Sequence, residues 1–524
     1  MRRFRWAVCQ LDILKRLRPD VTTIRAALSN LPKTLDETYD RIFLAIPEDD
    51  WLSVQHVFHW LVYHNDLFGT NIPLSTLLQA VQQSTVDFLS HDADQLHDFE
   101  GLRERCGCLI MIEQEEKIGY YSRRVYQRST VSFAHYTVKE YLQSPRISQK
   151  KVGLFALSQE RIQKQFAGIA LRQALAIQPD MVAEYAEPDG TYAIHGLLDA
   201  HFKFYCGISS VLQLNIWPEA ISSNSTLMEL SEALVNPHRP AYEDLGTLIE
   251  SSARDGQLLD VIRECSFWRI TGMQKSDPNA AVFLSFLVTS GLSERLHLLL
   301  AFARKHSMLT VLTQQLDITK DHYSYLNGSD VYGFVGSIPE IVAQWAWPQT
   351  FTFILDLISE HDAAHFDLST LLLLYIGCHD HDICDKPCSL ERLLGLGASA
   401  KGPEEAFVTP LQIAAVCWDL HGIETLLNAG AEPNALGGNG SGWAPNSFMK
   451  RFNHLHGASS LHIIKHFECN ALVLWYDALL ETTRERIETR LLESGAVEIE
   501  LYDSKPGSDD VFDEGDDSEN QFST

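Results

Sequence analysis

One short stretch, CHDHDICDKPC, concentrates the side chains best able to hold a metal. Cys378, His379, His381, Cys384 and Cys388 offer thiolate and imidazole donors, the kind zinc takes four at a time. Their spacing is not CxxC, and no second knuckle follows. The metallohydrolase pattern HxHxDH also fails, because Ile383 stands where the aspartate belongs. The stretch therefore reads as an exposed loop, with structural or adventitious zinc as the alternative. Phosphate chemistry is missing as well. No Gly-Lys dipeptide occurs, so there is no GxxxxGK[ST] loop to cradle a nucleotide. GGNGSGWAP, from Gly437, fails the GxGxxG pattern and reads as a loop. Neither HExxH nor GxSxG is present. From these patterns no catalytic residue, no cofactor and no enzymatic activity are expected.

Charge narrows the choice of partners. The net charge of −27 opposes binding of the whole chain to nucleic acid or to an anionic membrane. Arg123, Arg124 and Arg128 alternate with Tyr120, Tyr121 and Tyr126, a pattern that can stack on bases. A twisted hairpin with solvated arginines explains the same letters. Part of the negative charge is local: from Asp503 the chain carries eight acids against one lysine, the composition of a disordered tail at 501–524. No apolar run approaches the roughly 20 residues of a membrane span. Gln10 and Asp12 interrupt the first apolar segment, so no signal peptide is read. Ten scattered cysteines suggest reduced thiols and a cytoplasmic location.

The elements form a mainly α pattern. Residues 1–48 hold FRWAVCQLDIL and LPKTLDETYDRI, the second with Leu31, Leu35, Thr38, Tyr39 and Ile42 on one helical face. Pro32 is expected in that helix's first turn. Over 49–145 come a buried helix, WLSVQHVFHWLVYH, a second, IPLSTLLQAVQ, and a third, ADQLHDFEGLRERC. Two strands, CLIMIEQ and STVSFAH, follow, and then a closing helix. That order is the order of a winged helix. The third helix, with Asp92, Asp94, Asp98, Glu100 and Glu104 against two arginines, is too acidic to sit on phosphate. Residues 146–360 read as a mostly helical linker domain, with a helical hairpin over Leu248–Cys265. Trp217, Trp268, Trp345 and Trp347 are expected in its core or grooves. Over 361–500 LERLLGLGASAK and IETLLNAGAEPNA repeat at an offset of 33 residues.

Two resemblances follow from these motifs. The period, with TPLQIAA and LLNAGAEPNA, resembles the ankyrin repeat, flanked by two degenerate units around LLLLYIGC and SSLHIIKHF. FRWAVCQLDIL, LPKTLDETYDRI and FAHYTVKEYL, in that order, resemble fungal NACHT–winged-helix–ankyrin proteins of the NOD-like class of signal-transducing ATPases. The resemblance implies a helical remnant that follows a NACHT core lying upstream, a winged helix, a helical linker and a C-terminal ankyrin solenoid. His135 matches the winged-helix histidine that contacts bound ADP in that class, a role that requires the NACHT core; a capping or core histidine is the plain alternative. Protein partners are expected on the repeats, at the turn before Thr409 and at the loops near Trp418 and Trp443. The expected function is a non-catalytic interaction module, a scaffold or sensor half of such a receptor. A truncated gene model of the nucleotide-switch ATPase and a winged-helix nucleic-acid binder are the competing readings.

Overall fold

The computed structural model describes residues 6, 7, 10, 11, 14, 20–86, 99–118, 125–177, 202–253, 270–271, 277–287, 292–324, 328–345, 348–377, 386–437, 455, 457–466 and 477–499. Helices dominate them. Contacts divide the chain into two units, Met1–Phe334 and Val335–Thr524.

The first unit begins with α1 (Val21–Ser29) and α2 (Leu35–Leu44). Pro32 lies ahead of α2, not in its first turn. Thr34 takes the N-cap by accepting from Glu37 N at 3.1 Å, and the Glu37 carboxylate reaches back to Lys33 N at 2.8 Å. A Thr-x-x-Glu pair thus outcompetes proline for the start. Pro32 instead lends its carbonyl to the Trp6 indole at 3.0 Å.

Helix α3 (Trp51–Phe68) is the axis of the unit. Its first fourteen residues carry no acid, lysine or arginine, and the buried set runs from Val54 to Leu67. Gly69, at φ 64°, ends it in the left-handed conformation. The order continues β1 (Ile72–Pro73), α4 (Leu74–Val86), α5 (Phe99–Cys106), β2 (Ile110–Ile118), β3 (Val125–Phe133) and α6 (Tyr136–Gln143). The strands form an antiparallel sheet in the order β1-β3-β2, with Ile72 opposite Val131 and Ile110 opposite Phe133. Pro73, which lacks an N–H, sits on the edge strand, where proline is tolerated. Aromatic rings bind these pieces together. Phe43 of α2 meets Phe58, Tyr141 and Phe155, and Trp60 meets Tyr63, Phe166, Phe202 and Tyr205.

Beyond a π-turn at Ile162–Phe166 come α7 (Ala167–Leu175), α8 (Phe202–Ile216), α9 (Pro218–Ser222), α10 (Ser225–Leu234) and α11 (Pro240–Ala253). After these come β4 (Ile270–Thr271), α12 (Pro278–Leu287), α13 (Leu292–Lys305), α14 (Met308–Thr313), β5 (Gln315–Ser324) and β6 (Gly328–Ser337). Trp217 is buried, as expected. The second sheet, β4-β5-β6, falls within the span 146–360, which sequence patterns give as mostly helical. The helical hairpin expected over Leu248–Cys265 lies in α11 as far as Ala253 and otherwise outside the described residues.

The second unit is a row of helix pairs: α15 (Ile338–Trp345) with α16 (Pro348–Glu360), α17 (Leu368–Ile376) with α18 (Lys386–Gly395), α19 (Pro410–Val416) with α20 (Leu420–Asn428), and α21 (Ser460–His466) with α22 (Asp477–Glu493). Each first helix packs on the next first helix, and each second helix on the next second helix. The pair α15–α16 falls in the span that sequence patterns gave to the linker. Three pairs close identically. The N–H groups of Gly397, Gly430 and Gly495 donate to Leu394, Leu427 and Leu492, and the N–H groups of the following alanines donate to Leu393, Leu426 and Leu491. This is the Schellman arrangement, and the glycines hold φ of 111°, 91° and 85°. The first pair ends on His361-Asp362, with Asp362 at φ 72°, so no glycine marks it.

Candidate functional site

In the first unit, β3 hands over to α6 through His135. The residue is extended, at φ −163° and ψ 149°, and it is the N-cap. Its Nδ1 accepts from Thr137 N at 3.3 Å and lies 2.9 Å from Thr137 Oγ1. An accepting Nδ1 places the ring proton on Nε2. Thr137 Oγ1 in turn meets the Tyr39 hydroxyl at 2.7 Å. Beside this chain, Tyr141 donates to Asp40 Oδ1 and Lys150 donates to Asp40 Oδ2 at 2.6 Å. Burial, and then the Asp40 carboxylate, push the Tyr141 phenol above its usual range.

A cleft of about 950 Å³ opens at this junction, lined among others by Trp6, Thr34, Leu35, Thr137 and Tyr141. Those residues come from the three motifs that carry the NOD-like resemblance. FRWAVCQLDIL, LPKTLDETYDRI and FAHYTVKEYL, far apart in the chain, therefore meet around one space.

Three histidines of α3 are walled in nearby. His56 Nδ1 lies 2.8 Å from Ser84 Oγ, which also accepts from the Trp60 indole at 3.1 Å and donates to Val81 O. With its one proton committed to Val81, Ser84 must accept from His56, which places a proton on His56 Nδ1. His59 Nδ1 donates to Gln55 O at 2.7 Å, and its ring stacks on Phe166. His64 bridges the Tyr205 hydroxyl and Thr70. Burial pulls all three below the usual imidazole range, to about 3, 4 and 3 respectively. Arg128 of β3, half-buried, adds its charge against His64. Arg123 and Arg124 lie outside the described residues.

In the second unit, Thr409 is the N-cap of α19. It forms a full capping box with Gln412: Thr409 Oγ1 accepts from Gln412 N at 3.1 Å, and Gln412 Oε1 accepts from Thr409 N at 2.7 Å. The Gln412 amide then donates to Leu455 O and Ala458 O, at the entrance of the next pair. Thr409 is 8% exposed, so its hydroxyl serves the cap, and the neighbouring turn offers surface through Glu404 and Glu405. Trp418 closes α19. Its N–H donates to Ala415 O and that of Asp419 to Ala414 O, the bonds glycine makes elsewhere in the row. Trp418 makes them at φ 53°, half-exposed. A bulky residue held left-handed is an outlier that costs on the order of 1–2 kcal/mol.

Trp443 and the metal candidates Cys378, His379, His381 and Cys384 lie outside the described residues; Cys388 stands in the first turn of α18, and its side chain is likewise outside. Sequence reasoning missed a different cluster. His462, His466 and Glu498 bring their ligand atoms within 4.8 Å of one another. The signal was the HxxxH of HIIKH, passed over as part of a repeat helix.

No family model matches the chain. A protein of Monascus ruber, "Azaphilone pigments biosynthesis cluster protein L", is 32% identical to it over 130 residues. That match covers 25% of this chain and 26% of the relative's length. No solved structure matches. Among the described residues no helix is long and apolar enough to cross a membrane, and Cys106 and Cys206 are buried thiols outside any disulfide.

Proposed function

We propose that this protein is a non-catalytic interaction module in which a winged-helix unit accompanies an ankyrin-type solenoid that docks a protein partner. The winged-helix assignment is supported by the order helix, strand, two helices, two strands, and by the sheet order β1-β3-β2. The ankyrin assignment is supported by the 33-residue offset and by pairs whose equivalent helices stack in succession. Membership of the NOD-like architecture is supported by the convergence of its three motifs on one cleft. A capping role for His135, in preference to a nucleotide contact, is supported by the engagement of its Nδ1 with Thr137.

Trp418 carries the docking reading. Strain of this kind persists where the surroundings impose it and concentrates at functional sites. Here a large, half-exposed indole occupies a turn at which glycine would be cheaper. The test replaces Trp418 with glycine in the full chain. Melting should stay level or rise, by about 1 kcal/mol of stability, because the strain is relieved. A protein partner retained by the wild-type chain from native extract should be lost. Equal retention of that partner by Trp418→Gly and wild type would sink the docking site.

A further inference from the structure

The last helix pair holds a set of donors that no repeat requires. His462 and His466 are four residues apart on α21 and so share one helical face, with ring centroids 4.4 Å apart. Glu498 arrives from the extended segment after α22, with its Oε1 2.8 Å from His466 Nε2. That segment is fixed in place. The Asn434 side chain donates to Gly495 O at 3.0 Å and accepts from Val497 N at 2.7 Å, and Ser459 donates to Val497 O at 3.2 Å. The carboxylate is thus delivered by a clamped backbone to a helix-borne imidazole pair.

We infer that His462, His466 and Glu498 form a transition-metal site, selective for zinc over magnesium and calcium. Two imidazoles and one carboxylate are the donor set zinc accepts, whereas hard cations require an oxygen cage. The ligand atoms lie within 4.8 Å of one another, so small rotamer changes bring them around one ion. Lys465 now supplies the positive charge, with its Nζ 2.8 Å from Glu498 Oε2. It has a second carboxylate to turn to, Glu488, at 3.6 Å. An entering ion therefore displaces the ammonium without stranding it. Bound metal would tie α21 to the segment beyond α22 and lock the end of the row. Its fourth position would remain open to water or to a donor from another molecule.

Titration of the full chain with zinc chloride, followed by calorimetry and thermal melting, tests the site. One zinc should bind and raise the melting temperature, while magnesium chloride should do neither. His466→Gln and Glu498→Gln change exposed side chains, so they should fold, melt like wild type in EDTA, and bind zinc at least about tenfold more weakly. The double variant Cys384→Ser, Cys388→Ser should bind zinc as wild type does. The site is refuted if zinc does not bind, if both glutamine variants bind it undiminished, or if the serine variant alone loses it.

Discussion

The two units bury polar groups in opposite ways. In the first, His56, His59 and His64 are enclosed by residues brought from far along the chain, such as Phe166 and Tyr205. Their neutrality is imposed by the surrounding core. In the second, buried polar groups form clasps within a helix pair or between neighbouring pairs. Thr409 and Gln412 answer each other three residues apart, and Gln412 reaches only to the neighbouring pair. The first arrangement makes one core sensitive to any charge placed within it. The second makes a row whose links each fail separately.

Acid should separate the two most strongly. Each buried histidine has its folded pKa below the unfolded value of about 6.5, so the unfolded chain binds more protons between those values. The stability they contribute is present above pH 6.5 and is lost as pH falls towards 3–4. By pH 5 the loss is about 2 kcal/mol for each histidine, on the order of 5 kcal/mol together. Hydrogen-exchange protection factors, referred to the slower intrinsic exchange at pH 5, should fall across Trp51–Phe68 from pH 7 to pH 5, while Leu420–Asn428 keeps its protection. An equal fall in both would break the contrast.

Gln412→Ala tests the clasp. It strands the buried Thr409 N–H and the carbonyls of Leu455 and Ala458, at about 1 kcal/mol each, or about 3 kcal/mol in all. Urea unfolding should show that loss, and exchange should rise first at Pro410–Val416 and Ser460–His466. A smaller effect, about 1 kcal/mol, is expected from Gly430→Ala. Nothing lies within 4 Å of the added methyl group, so only the φ of 91° is penalised. A larger loss in chemical denaturation would mean that the turn is held by packing as well as by backbone conformation.

What could be read in advance follows physical rules. Helix α3 was legible because fourteen residues free of acids, lysine and arginine precede the Gly69 stop, and the pairs ending in Gly397, Gly430 and Gly495 were legible because only glycine turns left-handed cheaply. The pair α15–α16 was hidden because His361-Asp362 replaces that marker. The β5–β6 hairpin was missed although Asn327-Gly328 is a hairpin signal, because helical neighbours on both sides suggested continuity. Of the candidate sites, Thr409 was visible as a cap, but the backbone conformation of Trp418 has no counterpart in residue type. The approach of Glu498 to His466 depends on tertiary folding and could not be read from spacing at all.

The pair of hydrogen bonds from the Gln412 amide to Leu455 O and Ala458 O has an evolutionary consequence. It fixes where the chain re-enters the row, however many residues intervene after Gly437. Length there is uncoupled from register, so insertions and deletions can accumulate between these anchors without shifting the helices on either side. Novelty in this protein can therefore be written into one connection while the row that presents it stays constant.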